Sequence, residues 1–508
     1  MKGGARAKAL GLSLILFWLG MVGWLIKRSY FQPRAAFEAD KPAIINYPST
    51  QPGPIPTTAP LSSQQEWLGI YFKGTKIGYA SRSLKKIPQG YYLKEVAELK
   101  MKLMEAPRQV SLVTAAEVDP QFSLKSFQFK MTSQDIELAV EGRVRDKTME
   151  LSIISGKEVR HQQLLLDQAP QLPVNLPWYL ARKEIKVGNS YQLTFFDPST
   201  LSNDTLTIKV LQKEQIEISG KKVESYKIEE SFKGVVHHAW ISRGGQLLKE
   251  EAPMGITLIQ ETKEQALEAL PEEGAQVDLI YATAIEVKTK LPQPHLLKYL
   301  KLKLANASLD NLPISSGRQK LQGNILEIQV EDLQEFAPTK LSLLAGENGR
   351  FQKLLEPNPL VQSNHPKIQQ LARSVIAGED NALKAIQRIS QWVYSNIEKK
   401  PTVSIPSALE VLNSRVGDCN EHTVLFTALA RAGQIPTRMV AGLLYNDNRF
   451  FYHAWAECYV GAWVAIDPLM NQIPADATHV KLVEGDLSEQ VSLLKIIGQL
   501  QIEILAYH

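Results

Sequence analysis

The chain has 508 residues, enough for about three domains at roughly 150 residues each. Apolar residues make up 44% and charged residues 22%, which is ordinary globular composition and excludes a mostly disordered or fibrous protein. A net charge of +4, from 57 basic and 53 acidic residues, is too even to suggest nucleic-acid binding. Two cysteines, Cys419 and Cys458, exclude a disulfide framework and any multi-cysteine metal cluster.

The first element is ALGLSLILFWLGMVGWLI, Ala9 to Ile26, eighteen residues without a charge. As a helix it would run about 27 Å, close to the ~30 Å hydrocarbon core of a bilayer. A cleaved signal peptide has a shorter apolar stretch and a small-x-small cleavage site, neither of which is evident, so residues 9–26 are expected to form an uncleaved transmembrane anchor. Lys2, Arg6 and Lys8 precede it and Lys27 and Arg28 follow, so charge encodes its orientation weakly. A signal anchor is the simplest arrangement for one span ahead of a large body, which places that body on the extracytoplasmic side, periplasmic or cell-surface. Residues 31–64 form a Pro-rich linker, with seven prolines between Pro33 and Pro60. Proline lacks the N–H and fixes φ, so the linker is either a semi-rigid spacer or a disordered tether.

Residues 65–268 have a period of two, as in YYLKEVAELKMKL and LKSFQFKMTS, with short polar turns between segments. That pattern predicts an antiparallel β domain of about ten strands, interrupted near Leu172–Leu180. The stretch SGKKVESYKIEESFKG…AWISRGGQLLKEEAP resembles sheet modules of bacterial envelope proteins of unassigned function. Such a sheet serves either as a binding face for lipid or an envelope partner, or as a scaffold. His238-Ala239-Trp240 lies here and reads as an ordinary strand with exposed histidines. A Glu- and Gly-rich loop, Leu270–Gln276, ends the domain, and residues 277–350 form a small β module expected to pack on a neighbour.

Residues 360–508 change character. KIQQLARSVIAG and NALKAIQRISQWVYSNIE carry apolar residues at helical spacing, with Leu383, Ile386, Ile389, Val393 and Ile397 along one stripe. In the segment GDCNEHTVLFTALARAG, Asp418 is a good N-cap and Glu421 completes a capping box, which puts Cys419 at the first helical position. Unpaired helix N–H groups and the helix dipole can lower a cysteine from ~8.5 into the range ~3.5–7.5, so a stabilised thiolate is expected at Cys419. In YHAWAECYV, His453, Trp455 and Glu457 point one way and Ala454, Ala456 and Cys458 the other. The next strand ends at Asp467, stopped by Pro468. A cysteine, a histidine and an aspartate in this order supply a nucleophile, a base and an orienter for thiol chemistry.

These motifs, GDCNEH at 417–422, HAWAE at 453–457 and WVAIDP at 463–468, resemble the core of the transglutaminase-like superfamily in order and in their spacings of 34 and 14 residues. NQIPADATHVKL at 471–482 is similar to a trailing segment of bacterial members. The resemblance implies an α+β, papain-like core, with a nucleophile helix packed on an antiparallel sheet. It implies Cys419 as nucleophile, His453 as base and Asp467 as orienter in acyl transfer at amide bonds of proteins or peptides, by hydrolysis or transamidation, without a cofactor. By analogy the backbone N–H of Cys419 is one oxyanion donor. His422, Trp392 and Trp455 are candidate site-lining residues, each with a packing role as the alternative, and Cys458 is read as a small buried hydrophobe. Two rival readings remain: a non-catalytic scaffold of the same fold, and a zinc site at Cys419, His422, His453 and Asp467, disfavoured because the Cys-x-x-His pair lacks a matching second pair.

Overall fold

A computed structural model describes residues 64–508 except 104–105, 134–135, 156–157, 184, 271–276, 310–311, 337–338, 347 and 401–406. The expected anchor (9–26) and nearly all of the Pro-rich linker lie outside these residues. Among the described residues no helix is long and apolar enough to cross a membrane.

Local sequence explains the antiparallel character of the first domain. Lys73-Gly74, Ser219-Gly220 and Lys233-Gly234 each place two successive residues at positive φ (48° and 88°, 48° and 75°, 48° and 72°). Two-residue turns of that geometry match the twist of a hairpin, and glycine takes the second position without steric cost. The result is one sheet of fourteen strands between Gln64 and Glu261, larger than the ten or so expected from periodicity. Strand-to-strand neighbours are almost all consecutive in sequence; the exception joins the first strand, Gln64–Phe72, to the fourteenth, Ile256–Glu261. The shortfall arose because strands such as Glu158–Leu165 and Leu247–Glu251 are short or mostly polar. The sheet curls on itself: Phe127, from a strand near one end, meets Phe196, from the strand at the other end, at 5.5 Å between ring centroids. The interruption at Leu172–Leu180 becomes a short helix, Leu176–Arg182, whose Trp178 ring stacks under the buried Arg82 guanidinium at 4.8 Å.

The small β module does not close on itself. Its strand Tyr299–Ala305 pairs on one side with Ile325–Gln329 and on the other with Gln501–Tyr507, near the end of the chain. Ile285–Glu286 joins a different sheet, against Arg449–Tyr459. That second sheet runs in the order Ile285–Glu286, Arg449–Tyr459, Thr437–Asn446, Val480–Glu484, with Trp463–Ile466 also paired to Arg449–Tyr459. The protein is thus α+β, mostly antiparallel sheet.

Four helices pack beside this sheet: Pro366–Ile376, Ala382–Asn396, Ala408–Ser414 and Cys419–Ala432. The stripe anticipated on the second of them is buried at Ile386, Ile389 and Val393, with Ile397 as its C-cap. Burying side chains of this kind stabilises by roughly 1.5–3 kcal/mol each before entropy is counted. The helix Cys419–Ala432 is buried nearly all round, and Thr423 Oγ1 donates to the carbonyl of Ala454 at 3.2 Å, fastening its first turns to the strand that carries His453.

Candidate active site

The start of the cysteine helix is built by GDCNE. Asp418 caps it, accepting the N–H of Asn420 at 3.0 Å, and Glu421 Oε2 accepts the N–H of Asp418 at 3.0 Å, so the capping box forms as the sequence suggests. Gly417 makes room for it: a Cβ there would sit 2.1 Å from Cβ of Glu421. Cys419 follows, 2% exposed, with a backbone hydrogen bond from Ala454, the residue after His453.

The expected stabilised thiolate is not what this environment produces. Burial pushes the Cys419 thiol well above its ordinary value, and the charges of Asp418, Glu421 and Asp467 push it further, while the Ala454 hydrogen bond opposes them. The same carboxylates that satisfy the helix N-terminus neutralise its positive end, so the dipole has little left to offer the sulfur. Burial and the surrounding carboxylates thus favour the protonated thiol over the thiolate at Cys419. Both cysteines are free. Cys458 behaves as expected: it is fully buried against Thr437 Oγ1 at 3.2 Å, with its thiol pushed up to about 12, chiefly by burial.

His453 and Asp467 come together. Asp467 lies at the end of the strand paired with Arg449–Tyr459, and its Oδ2 is 2.8 Å from His453 Nε2. Its Oδ1 accepts the N–H groups of Leu469 and Met470 at 2.9 and 3.0 Å. Both side chains are 0% exposed. Because Asp467 is an acceptor, His453 carries its proton on Nε2, which leaves Nδ1 as the bare, basic nitrogen; Nδ1 is buried and has no hydrogen-bond partner. Burial lowers the His453 pKa, Asp467 resists that shift, and the charge of His479 adds to it.

His479 escaped the sequence reading. Its Nε2 lies 3.1 Å from the same Asp467 Oδ2, and its Nδ1 lies 3.2 Å from Oδ1 of Asp476, which also accepts from Thr478 N and Oγ1. Burial disfavours a charged His479, but Asp476 and Asp467 outweigh it and lift its pKa to about 9. Burial would raise Asp467 as well, yet His453 and His479 hold it far below the usual carboxylate range. The signal was present in NQIPADATHVKL: Asp476 and His479 stand three apart, both polar types that are rarely buried unpaired. Lys399 also escaped notice. It comes from the short strand Glu398–Lys399, parallel to Val416–Gly417, and its charge is felt at both His422 and Asp467.

The candidate lining residues divide. His422 is buried with Nδ1 on the carbonyl of Asp418 at 2.7 Å, and burial brings its pKa down to about 4. Its Nε2 has no partner, nor has Asn420 Nδ2 beside the cysteine. Trp455 is buried and stacks on His453 (5.9 Å, 21° between planes) with its edge toward His479 (5.3 Å, 79°), so it fixes both imidazoles. Trp392 is half-buried, packed against the core beside the helices, with the Arg415 guanidinium over its ring at 4.8 Å. Of the four residues considered for zinc, only His453 and Asp467 belong to a cluster of metal-capable atoms among the described residues; the third member is His479, and Cys419 and His422 are not part of it. The HAW segment of the first domain also needs correction. His238 is partly exposed, but the neighbouring His237 is buried, with Nε2 2.8 Å from Glu230 Oε2.

Residues 369–468 match the family model of the transglutaminase-like superfamily. This region belongs to that superfamily. The match covers the cysteine helix and the His453 and Asp467 strands and stops short of Asp476 and His479. No curated protein matches the chain. Among solved structures, a provisionally assigned cysteine protease from Cytophaga hutchinsonii is 19% identical, covering 41% of this chain and 86% of its own at a TM-score of 0.27. A second provisionally assigned protease, from Parabacteroides distasonis, is 12% identical over 67% of this chain and 63% of its own, with a TM-score of 0.19. A β-barrel-like protein from Brucella abortus, from a domain family of unknown function, is 15% identical over 39% of this chain and 95% of its own, with a TM-score of 0.30. At these scores none of the three bears on what the transglutaminase-like region acts on.

Proposed function

We propose that this protein is a cysteine acyl-transfer enzyme that cleaves or transfers amide bonds of proteins or peptides, with Cys419 as nucleophile, His453 as general base and Asp467 as its orienter. The observation that carries this reading is the 2.8 Å contact of His453 Nε2 with Asp467, which leaves a buried, unpartnered Nδ1 as the base. Nδ1 takes the thiol proton of Cys419 as Sγ attacks the substrate carbonyl carbon. The tetrahedral oxyanion forms beside the helix N-terminus, where the Cys419 N–H is the expected donor. Collapse expels the amine, which leaves with the proton held on Nδ1, and a thioester remains on Cys419. Water or a second amine then attacks the thioester through the same base, giving hydrolysis or transamidation. In this reading the expected N-terminal anchor holds the enzyme at a membrane with its body outside the cytoplasm, and the large curled sheet is the surface for an envelope partner.

The burial and raised pKa of Cys419 favour a second reading, a superfamily scaffold that does no chemistry. Labelling with a peptidyl acyloxymethyl ketone, followed by peptide mapping, separates the two. The enzyme reading expects covalent modification of Cys419 that is lost completely in Cys419→Ala and unchanged in Cys458→Ala. A wild-type chain that stays unlabelled, or labels equally at both cysteines, supports the scaffold.

A further inference from the structure

The catalytic reading uses three side chains, but the structure links four buried ones by hydrogen bonds, His453, Asp467, His479 and Asp476. The last two lie outside the segment that matches the superfamily model. His479 is 1% exposed and makes a hydrogen bond through each ring nitrogen, to Asp467 at 3.1 Å and to Asp476 at 3.2 Å. Both partners also accept backbone N–H groups, directly or through their second oxygen, and both are held below the usual carboxylate range, so as ionised carboxylates they can only accept. His479 must therefore donate from both nitrogens. Asp467 Oδ2 stands between two imidazole Nε2 atoms and cannot turn toward His479 without leaving His453.

We propose that His479, anchored by Asp476, is a positioning residue for the reaction: it holds the Asp467 carboxylate in place against Nε2 of His453 and so keeps Nδ1 as the unprotonated nitrogen that serves as the base. It also sets the charge of the site. The acidic groups around Cys419 are Asp418 and Glu421 on its own helix and Asp467 on the facing sheet; Asp476 follows on the segment after it. The cations are His479 and Lys399, whose charge is felt at Asp467 and His422. With His479 charged, Asp467 is compensated, and both the thiolate and the neutral form of His453 cost less than they would beside a bare carboxylate. This inference rests on the catalytic reading above.

The test follows the rate of Cys419 alkylation by iodoacetamide against pH in full-length chains carrying Cys458→Ala. Removing the cation in His479→Gln leaves the site one charge more negative. Every proton there is then held more tightly, and the profile is expected to move up by roughly one pH unit, about tenfold slower below its midpoint. A lower rate with an unmoved midpoint is what a merely structural histidine would give, and it overturns the proposal. If His479→Gln does not fold, ring 15N spectra of the wild-type chain decide the point. The proposal expects His479 protonated on both nitrogens to about pH 8, below its pKa of about 9, and His453 protonated on Nε2 alone; a neutral His479, or a His453 protonated on Nδ1, rejects it. A stoichiometric metal ion in the purified chain that is lost in His479→Gln also rejects it, because His479 would then be a ligand. His453→Ala separates this inference from its premise. If that variant leaves the wild-type profile unchanged, the catalytic reading has failed. If it changes the profile and His479→Gln does not, only the role of His479 has.

Discussion

Two buried histidine–carboxylate pairs in this protein have nearly the same local geometry and opposite chemistry. In the curled sheet, His237 Nε2 sits 2.8 Å from Glu230 Oε2; in the transglutaminase-like region, His453 Nε2 sits 2.8 Å from Asp467 Oδ2. Both rings are essentially buried, and in both Nδ1 lacks a hydrogen-bond partner. Burial lowers both pKa values, but at His237 it is overcome by Glu230 with help from Glu250, so the pKa rises. At His453 Asp467 does not overcome it, because His479 shares the carboxylate and adds a positive charge, and the pKa falls. The second neighbour therefore helps decide whether burial or the paired carboxylate sets the direction of the histidine's pKa. The surroundings differ as well: the helix that begins with Cys419 is fastened through Thr423 to the strand of His453, whereas the first domain has no cysteine.

The sharpest way to break this comparison is to remove each imidazole in turn. His453→Ala is expected to slow acyl-probe labelling of Cys419 by about 10²–10⁴-fold, the usual weight of a general acid/base, with a modest effect on folding. His237→Ala leaves Glu230 buried and unpaired and is expected to cost about 3–5 kcal/mol in denaturant unfolding, with labelling of the folded fraction intact. Equal losses of labelling in the two variants would erase the distinction.

A smaller effect separates the two pairs by pH. A histidine whose folded pKa is raised contributes stability that is complete below its unfolded value and is lost as pH rises through the folded value. His237 follows this rule. So does Glu250, which burial lifts to about 7, since its protonated form is the one the folded state favours. His479 follows it too: its contribution is complete below about pH 6.5 and is lost as pH rises to its folded pKa of about 9. Between about pH 4.5 and 7, where the Glu250 contribution is lost, hydrogen exchange corrected for intrinsic rates should show the strands Lys221–Phe232 and Val235–Ile241 losing protection. Arg449–Tyr459 and Val480–Glu484 should lose theirs at higher pH, between about pH 6.5 and 9. Loss in the opposite order would contradict the charge assignments.

The smallest expected effect concerns the second cysteine. Cys458→Ala removes one buried sulfur beside Thr437 Oγ1, which still donates to the carbonyl of Ile435. A stability loss of about 1 kcal/mol and unchanged labelling are expected from urea titration and probe kinetics. A larger loss of labelling would place Cys458 in the chemistry.

The nature of each element was legible along the chain, because it rests on short-range rules. Period-two alternation with short polar turns dictated antiparallel hairpins, the Asp418–Glu421 box set the start of the cysteine helix, and the order of Cys419, His453 and Asp467 pointed to the superfamily that residues 369–468 match. Tertiary structure alone decided the rest, because the deciding terms are burial and charges brought together from distant segments. Alternation cannot show that a sheet runs to fourteen strands and curls, or that Ile285–Glu286 and Gln501–Tyr507 leave their own segments to pair elsewhere. A helix N-terminus read in isolation stabilises a thiolate; the folded one is desolvated and already balanced by its own capping carboxylates, so Cys419 rests as a thiol. His479 became visible only when the strand Val480–Glu484 docked beside Thr437–Asn446 and brought a second imidazole to Asp467, since the strength of a buried charge depends on which other charges share its low-dielectric surroundings.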